Sequence, residues 1–121
     1  MKFPIIELVD RYTIAQVKHQ RTKGANQAEL DFYTLQMQEL DAALIESQLR
    51  ALRDLHNQIW NLEDDFKKCR LAGVDLAEIG RRALEIRDLN NGRVALKNQI
   101  AAVLGDAVRE IKQDHASEST V

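Results

Sequence analysis

Residues that break or decorate helices are scarce in this chain. Among its 121 residues there is one proline, there are five glycines, and aromatic residues make up only 5%. With so few turn-forming residues, a fold of many short strands and tight turns is excluded. No stretch alternates apolar and polar positions through β-branched residues between turn signals. The single cysteine, Cys69, excludes an intrachain disulfide and fits a reducing compartment. A net charge of −2 provides no global field to draw the chain to nucleic acid or to anionic lipid. No apolar run approaches the roughly 20 residues of a membrane span. Glu7 and Asp10 interrupt the apolar start at Phe3-Pro4-Ile5-Ile6, so no signal-peptide core is expected. These absences predict a cytoplasmic protein with no membrane insertion and no nucleic-acid partner.

Leu, Ala, Glu, Gln, Lys and Arg dominate instead, and these are strong helix formers. Pro4 suits a helix start. Ile5, Leu8, Tyr12 and Ala15, flanked by Ile6, Val9, Thr13 and Val17, give a wide apolar face to about Gln20. Gly24 fits a helix C′ position. Asn26 with Glu29, and Asp75 with Glu78, read as capping boxes. Leu30, Tyr33, Met37, Leu40 and Leu44 recur in steps of three and four. The pattern slips through 45–51 and resumes at Leu52, Leu55, Ile59, Leu62, Phe66 and Cys69. One helix over 27–71 with a stutter would span ~67 Å at 1.5 Å per residue, so a break near Glu46-Ser47 is favoured. A turn at Ala72-Gly73-Val74 follows, then a last helix from about Leu76 to Leu104. Gly105 ends or weakens that helix, and Val108 and Ile111 could extend its face. The expected fold is all-α, an antiparallel bundle of three to four long helices over 1–112. A tail without apolar anchors over 113–121 should fray. With so few aromatics, long stripes bury more of their surface by pairing with a second copy, which predicts a homodimer with coiled-coil-like packing.

The last helix carries an interrupted seam. Leu76, Ile79, Ala83 and Ile86 lead into Asn90, Arg93 and Lys97 before Ile100 and Leu104 restore the apolar repeat. Burying a cation costs several kcal/mol unless it is paired and hydrogen-bonded, roughly. Carboxylates are therefore expected nearby. Asn57, Trp60, Glu63 and Asp64 on the preceding helix are the first candidates. Pairing about the turn at Gly73 brings Trp60 and Asn57 against residues 86–90. Glu63 and Asp64 then reach Arg93 only with a stagger or across a dimer interface. Helix one offers Asp10, with Arg11 and Lys18 adding positive charge. One reading is a structural network that fixes helix register. The other is an anion or sugar-phosphate pocket walled by Trp60, with Arg93 and Lys97 as its cations.

Other constellations point to less. His19, His56 and His115 lie far apart, and Cys69 sits on the apolar stripe, so no metal ligand set and no catalytic nucleophile is expected. Glu85 and Asp88 have the spacing of a helical Mg²⁺-binding pair, and Glu63-Asp64-Asp65 does not. Lys67-Lys68-Arg70 and Arg81-Arg82 suit a helix terminus and a solvated face.

The segments Leu8-Val9-Asp10-Arg11-Tyr12-Thr13-Ile14, Asn57-Gln58-Ile59-Trp60-Asn61-Leu62-Glu63-Asp64-Asp65 and Asn90-Asn91-Gly92-Arg93-Val94-Ala95-Leu96-Lys97 resemble a small bacterial family of unknown function. Its members read V-D-R-x-T-I-L-E-x-K, N-x-x-L-W-x-x-E-D and N-x-x-R-x-x-L-K in that order, and some occur near glycosyltransferase or surface-polysaccharide genes. The resemblance marks Asp10, Arg11, Thr13, Lys18, Asn57, Trp60, Glu63, Asp64, Asn90, Arg93 and Lys97 as pattern residues. Ala15 and Gln16 depart from the aliphatic-acidic pair, and 44–50 lacks a proline-rich connection. The resemblance implies no reaction and no cofactor. The reading that follows is a non-enzymatic interaction or accessory protein, linked to surface-polysaccharide synthesis and working with a protein partner. The alternative is a binder or Mg-dependent hydrolase of a small anionic ligand, a nucleotide or sugar nucleotide.

Overall fold

A computed structural model describes residues 3–71, 73 and 75–111, the side chains of 69–71 excepted. Among these, the chain forms four α-helices and one 3₁₀ turn: α1 (Ile5–Arg21), α2 (Gln27–Met37), the turn Ala42–Ile45, α3 (Glu46–Leu71) and α4 (Leu76–Val103). The all-α bundle read from the sequence is the observed architecture. The placement of Cys69 on the stripe, the ends of the turn at Ala72 and Val74, His115 and the tail over 113–121 lie outside the described residues.

Helix α1 is the central element. Pro4 precedes it, and its carbonyl accepts from the N–H groups of Glu7 and Leu8 at 3.1 and 3.0 Å. Both of its apolar stripes are used. Ile5, Leu8 and Ala15 are buried on one, and Ile6, Val9, Thr13 and Val17 on the other. α1 accordingly packs against α2, α3 and α4 at once. The core joins Ile5, Ile6, Leu8 and Val9 to Met37, Ile45, Leu49, Leu52, Ile100 and Ala101.

The first turn departs from expectation. Lys23, with φ 54°, takes the left-handed position after the C-cap Thr22, and Gly24 follows it at φ 87°. The Asn26 side chain forms no cap. It donates instead to the Ala15 carbonyl at 3.0 Å and ties the start of α2 back to α1. At α4 the cap is real, with Asp75 accepting from the Ala77 N–H at 3.4 Å. Glu78 turns forward to Arg81 and Arg82.

Helix α3 begins at Glu46, where the apolar pattern slips. The break itself comes earlier, because α2 stops at Met37. Ile45 is fully buried and Leu40 packs on the core, so the chain must turn inward between them. A continued helix would carry both away from the body.

α3 and α4 form an antiparallel hairpin. Gly92 lies beside Leu55, and Asp65 meets Arg82 at 3.6 Å. Their 26 and 28 residues correspond to about 40 Å each, against about 25 Å for α1. The far part of the hairpin therefore leaves the body as a two-helix arm. Among the described residues, no side chain between Ile59 and Val94 is buried. Gly105, at φ 77°, ends α4 beyond Leu104, so Val108 and Ile111 do not extend the helix. Residues 106–111 fold back instead. The Asp106 carboxylate accepts from the Ile5 N–H at 3.0 Å, and Asn98 exchanges two 2.8 Å hydrogen bonds with the backbone of Glu110.

Candidate functional site

The interrupted seam of α4 meets Asp10. Helix α1 runs antiparallel to α4, with Ile5 beside Asp106 and Asp10 beside Lys97. Asp10 lies at the edge of the apolar face of α1, beside the stripe of Ile6, Thr13 and Val17. Its Oδ2 accepts from Lys97 Nζ at 3.4 Å, and its Oδ1 lies 3.8 Å from Arg93 Nε. From α3, His56 Nε2 comes within 3.0 Å of the same Oδ1. That contact has ion-pair distance but a bent approach, and neither atom completes a well-aligned hydrogen bond. Lys97 also pairs with Glu110 of the folded-back segment. One node thus ties α1, α3, α4 and the C-terminal segment together. Lys97 and His56 are only 5% and 6% exposed.

The electrostatics of Asp10 are a contest. Burial is the largest single influence and pushes its carboxyl upward. The contact with His56 and the charges of Arg93 and Lys97 together outweigh it, and the carboxyl is held below its ordinary value. Asp10 is therefore a carboxylate at neutral pH, as the buried cations require.

The other pattern residues take distinct places. Thr13 is fully buried, and its hydroxyl bonds back to the carbonyls of Val9 and Asp10, so it serves the helix and not a pocket. Arg11 is exposed, held by Glu7 and the Tyr33 hydroxyl, and stacks 4.9 Å over Phe3. Lys18 reaches Glu29 at 3.6 Å and links α1 to α2. Asn57 accepts from Arg21 at 3.1 Å and pins the end of α1 to α3. The same Arg21 lies 5.5 Å over Trp60.

Trp60 does wall a recess beside the node. A cleft of ≈ 230 Å³ is lined by Trp60, His56, Glu63, Asn90 and Arg93, together with Ile14 and Val17 of α1. Glu63 is thus brought near the seam but not into the node. Asp64 is exposed and pairs with Lys68 at 2.9 Å on its own helix. Glu63 and Asp64 are too far along the arm to reach the node. Asp65, one residue further, already meets Arg82.

Two wider clefts open from the node on its other sides. One of ≈ 490 Å³ lies between α1 and α4, over Asp10, Arg11, Arg93 and Lys97. The other, of ≈ 590 Å³, lies between α4 and the C-terminal segment, with Arg87, Asn90, Asn91, Arg93, Arg109 and Glu110 on its walls. Arg93 borders all three.

Sequence reasoning left out His56, Glu110, Arg87 and Arg109 as site residues. His56 was legible as a neighbour of Trp60 on one helix face. Glu110 was not, because it lies past the helix end at Gly105, where periodicity carries no information. Glu85 and Asp88 are exposed, with Asp88 3.5 Å from Arg87. Among the described residues, no group of three or more His, Cys, Asp or Glu side chains converges to hold a metal ion. No helix among them is long and apolar enough to cross a membrane. No family model, curated protein or solved structure matches the chain.

Proposed function

We propose that the protein is a non-enzymatic interaction protein that works as a homodimer through the α3–α4 arm. The observation that carries this reading is the arm itself. Its inner seam contains Leu62, Phe66, Ile79, Ile86 and Leu89, yet all of them stay only half-buried. Two helices alone cannot close a core, and packing against further helices is what stabilises such a pair. A second apolar stripe lies about a third of a turn around α4 from that seam. It consists of Leu76, Gly80, Ala83 and Leu84, with Leu76 83% and Leu84 51% exposed.

A second copy covers this stripe with the same stripe of its own arm, since in a two-fold pair one patch serves both copies. The Asp10 node supports this role, because it fixes the body from which the arm projects. The resemblance to a bacterial family found near glycosyltransferase genes supports an accessory role in surface-polysaccharide synthesis in the cytoplasm.

Sedimentation equilibrium tests the reading. Twice the 13.8 kDa chain mass, 27.6 kDa, is expected for the intact chain, and Leu84→Asp should return it to 13.8 kDa. An intact chain that sediments at 13.8 kDa at every concentration overturns it.

A further inference from the structure

The clefts around the node are unequal in charge. Among the described residues, Arg87, Arg93 and Arg109 all border the ≈ 590 Å³ cleft between α4 and the C-terminal segment, against one carboxylate, Glu110. Glu110 is already engaged by Lys97. Asp10 is shared among Arg93, Lys97 and His56. Arg109 is held by the backbone carbonyls of Asp106 and Val108, with the Asp106 carboxylate, already capping the Ile5 N–H, as its nearby counter-charge. Arg87 has a 3.5 Å contact to Asp88 and Arg93 a 3.8 Å contact to Asp10, and the buried Nε of each completes no hydrogen bond in the structure. Loosely paired guanidinium groups that share one cleft favour a ligand that supplies acceptors.

The rest of the lining says what kind of ligand. The volume lies within the roughly 300–1,000 Å³ of small-molecule sites. Among the described residues, no aromatic side chain lines the cleft, so these walls offer a nucleobase no stacking surface. Asn90 and Asn91 offer amides instead. Asn90 donates its Nδ2 to the Ile86 carbonyl, which leaves its Oδ1 to accept from a ligand. Amides beside guanidinium groups suit a molecule with hydroxyls as well as an anion. A phosphate monoester, with about −1.5 to −2 charge at neutral pH and three acceptor oxygens, matches several guanidinium forks better than a single carboxylate does.

We propose that the cleft between α4 and the C-terminal segment binds a phosphate monoester whose organic part carries hydroxyl groups. Arg87, Arg93 and Arg109 hold the phosphate, and Asn90 and Asn91 contact the hydroxyls. This site does not depend on dimerisation through the arm.

Isothermal titration calorimetry on the full chain tests it, with glucose 6-phosphate, inorganic phosphate and glucose as probes. Glucose 6-phosphate should bind saturably and weaken as salt rises. Inorganic phosphate should bind at least tenfold more weakly, and glucose should give no saturable heat. Arg87→Ala and Arg109→Ala avoid the Asp10 node, and each should weaken glucose 6-phosphate roughly tenfold, as loss of a charged hydrogen bond does. Circular dichroism checks that both variants stay folded, and Arg81→Ala on the arm should bind like the parent chain. No saturable heat with glucose 6-phosphate overturns the site, as does full affinity in both variants. Inorganic phosphate binding as tightly as glucose 6-phosphate overturns the assignment of the hydroxyl contacts.

Discussion

Lys97 and Asp10 stand 87 residues apart in the chain and 3.4 Å apart in the fold. Their contact explains how α4 tolerates a lysine in its buried seam. Lys97 is the most enclosed cation of the node, and Asp10 is the carboxylate it shares with Arg93 and His56. Removing Asp10 strands the buried positive charge. Asp10→Asn should therefore destabilise the protein by about 3 kcal/mol, the lower end of the range for breaking a buried pair, since Glu110 still serves Lys97. Adding Lys97→Met should recover part of that loss, with a coupling of about 1–3 kcal/mol between the two changes. Urea denaturation of the two single variants and the double variant measures it. Additive losses would show that the pair is not coupled.

Arg93 should behave differently. Its Nε is 3.8 Å from Asp10, and its side chain is 25% exposed on three clefts. A long, partly solvated pair contributes little. Arg93→Met should shift stability by no more than about 1 kcal/mol in either direction. Thermal melts at matched ionic strength check this. A loss as large as that of Asp10→Asn would make Arg93 a structural anchor of the node.

The acid limit of stability follows from two carboxylates. Asp10 is held below its ordinary 3.8 by His56, Arg93 and Lys97 against the upward push of burial. Asp106 is held below its ordinary value by the N–H of Ile5 and then that of Val108. A group whose pKa is lowered on folding contributes stability that is fully present above its unfolded pKa. That contribution is lost as pH falls through the folded value. Stability should hold from neutral pH to about pH 4 and then drop. Asp106→Asn should flatten part of the drop and loosen the C-terminal segment. Melting temperatures between pH 7 and pH 3 decide the matter. A profile in Asp106→Asn identical to that of the parent chain would count against the cap on Ile5.

The helices were legible in the sequence, and the charge partners only in part. α1 is a regular amphipathic segment, α4 keeps the helical step on either side of its polar interruption, and their ends carry Pro4, Asp75 and Gly105, so periodicity and caps bounded them. The register of the hairpin was legible too, since a short turn fixes which residues face each other, and Leu55 does meet Gly92. The end of α2 was hidden, because Met37, Leu40 and Leu44 keep the helical step while the chain leaves the helix between them. A cation in the seam was legible from position alone, but it is Lys97 that is buried, while Arg93 stays partly exposed. Asp10 was legible only as one candidate among several, because a carboxylate at the edge of another helix's apolar face looks like an ordinary surface residue. Only the packing of α1 between α3 and α4 selects Asp10 over Glu63 and Asp64.

Gly80 offers a direct probe of the arm. It lies inside α4, where glycine costs about 1 kcal/mol relative to alanine, and a Cβ built on it meets nothing within 4 Å. Within one chain, Gly80→Ala should raise the melting temperature by about 4 °C. Gly80 also lies between Leu76 and Leu84 on the exposed stripe. A bulky, charged side chain there should leave an isolated hairpin folded but block close approach of a second arm. Gly80→Glu should therefore halve the sedimenting mass of a dimer while helical content stays unchanged. If Gly80→Ala lowers the melting temperature instead, the backbone at Gly80 is in close contact with a neighbour in solution. If Gly80→Glu leaves a dimer intact, the partner surface lies elsewhere than this stripe of α4.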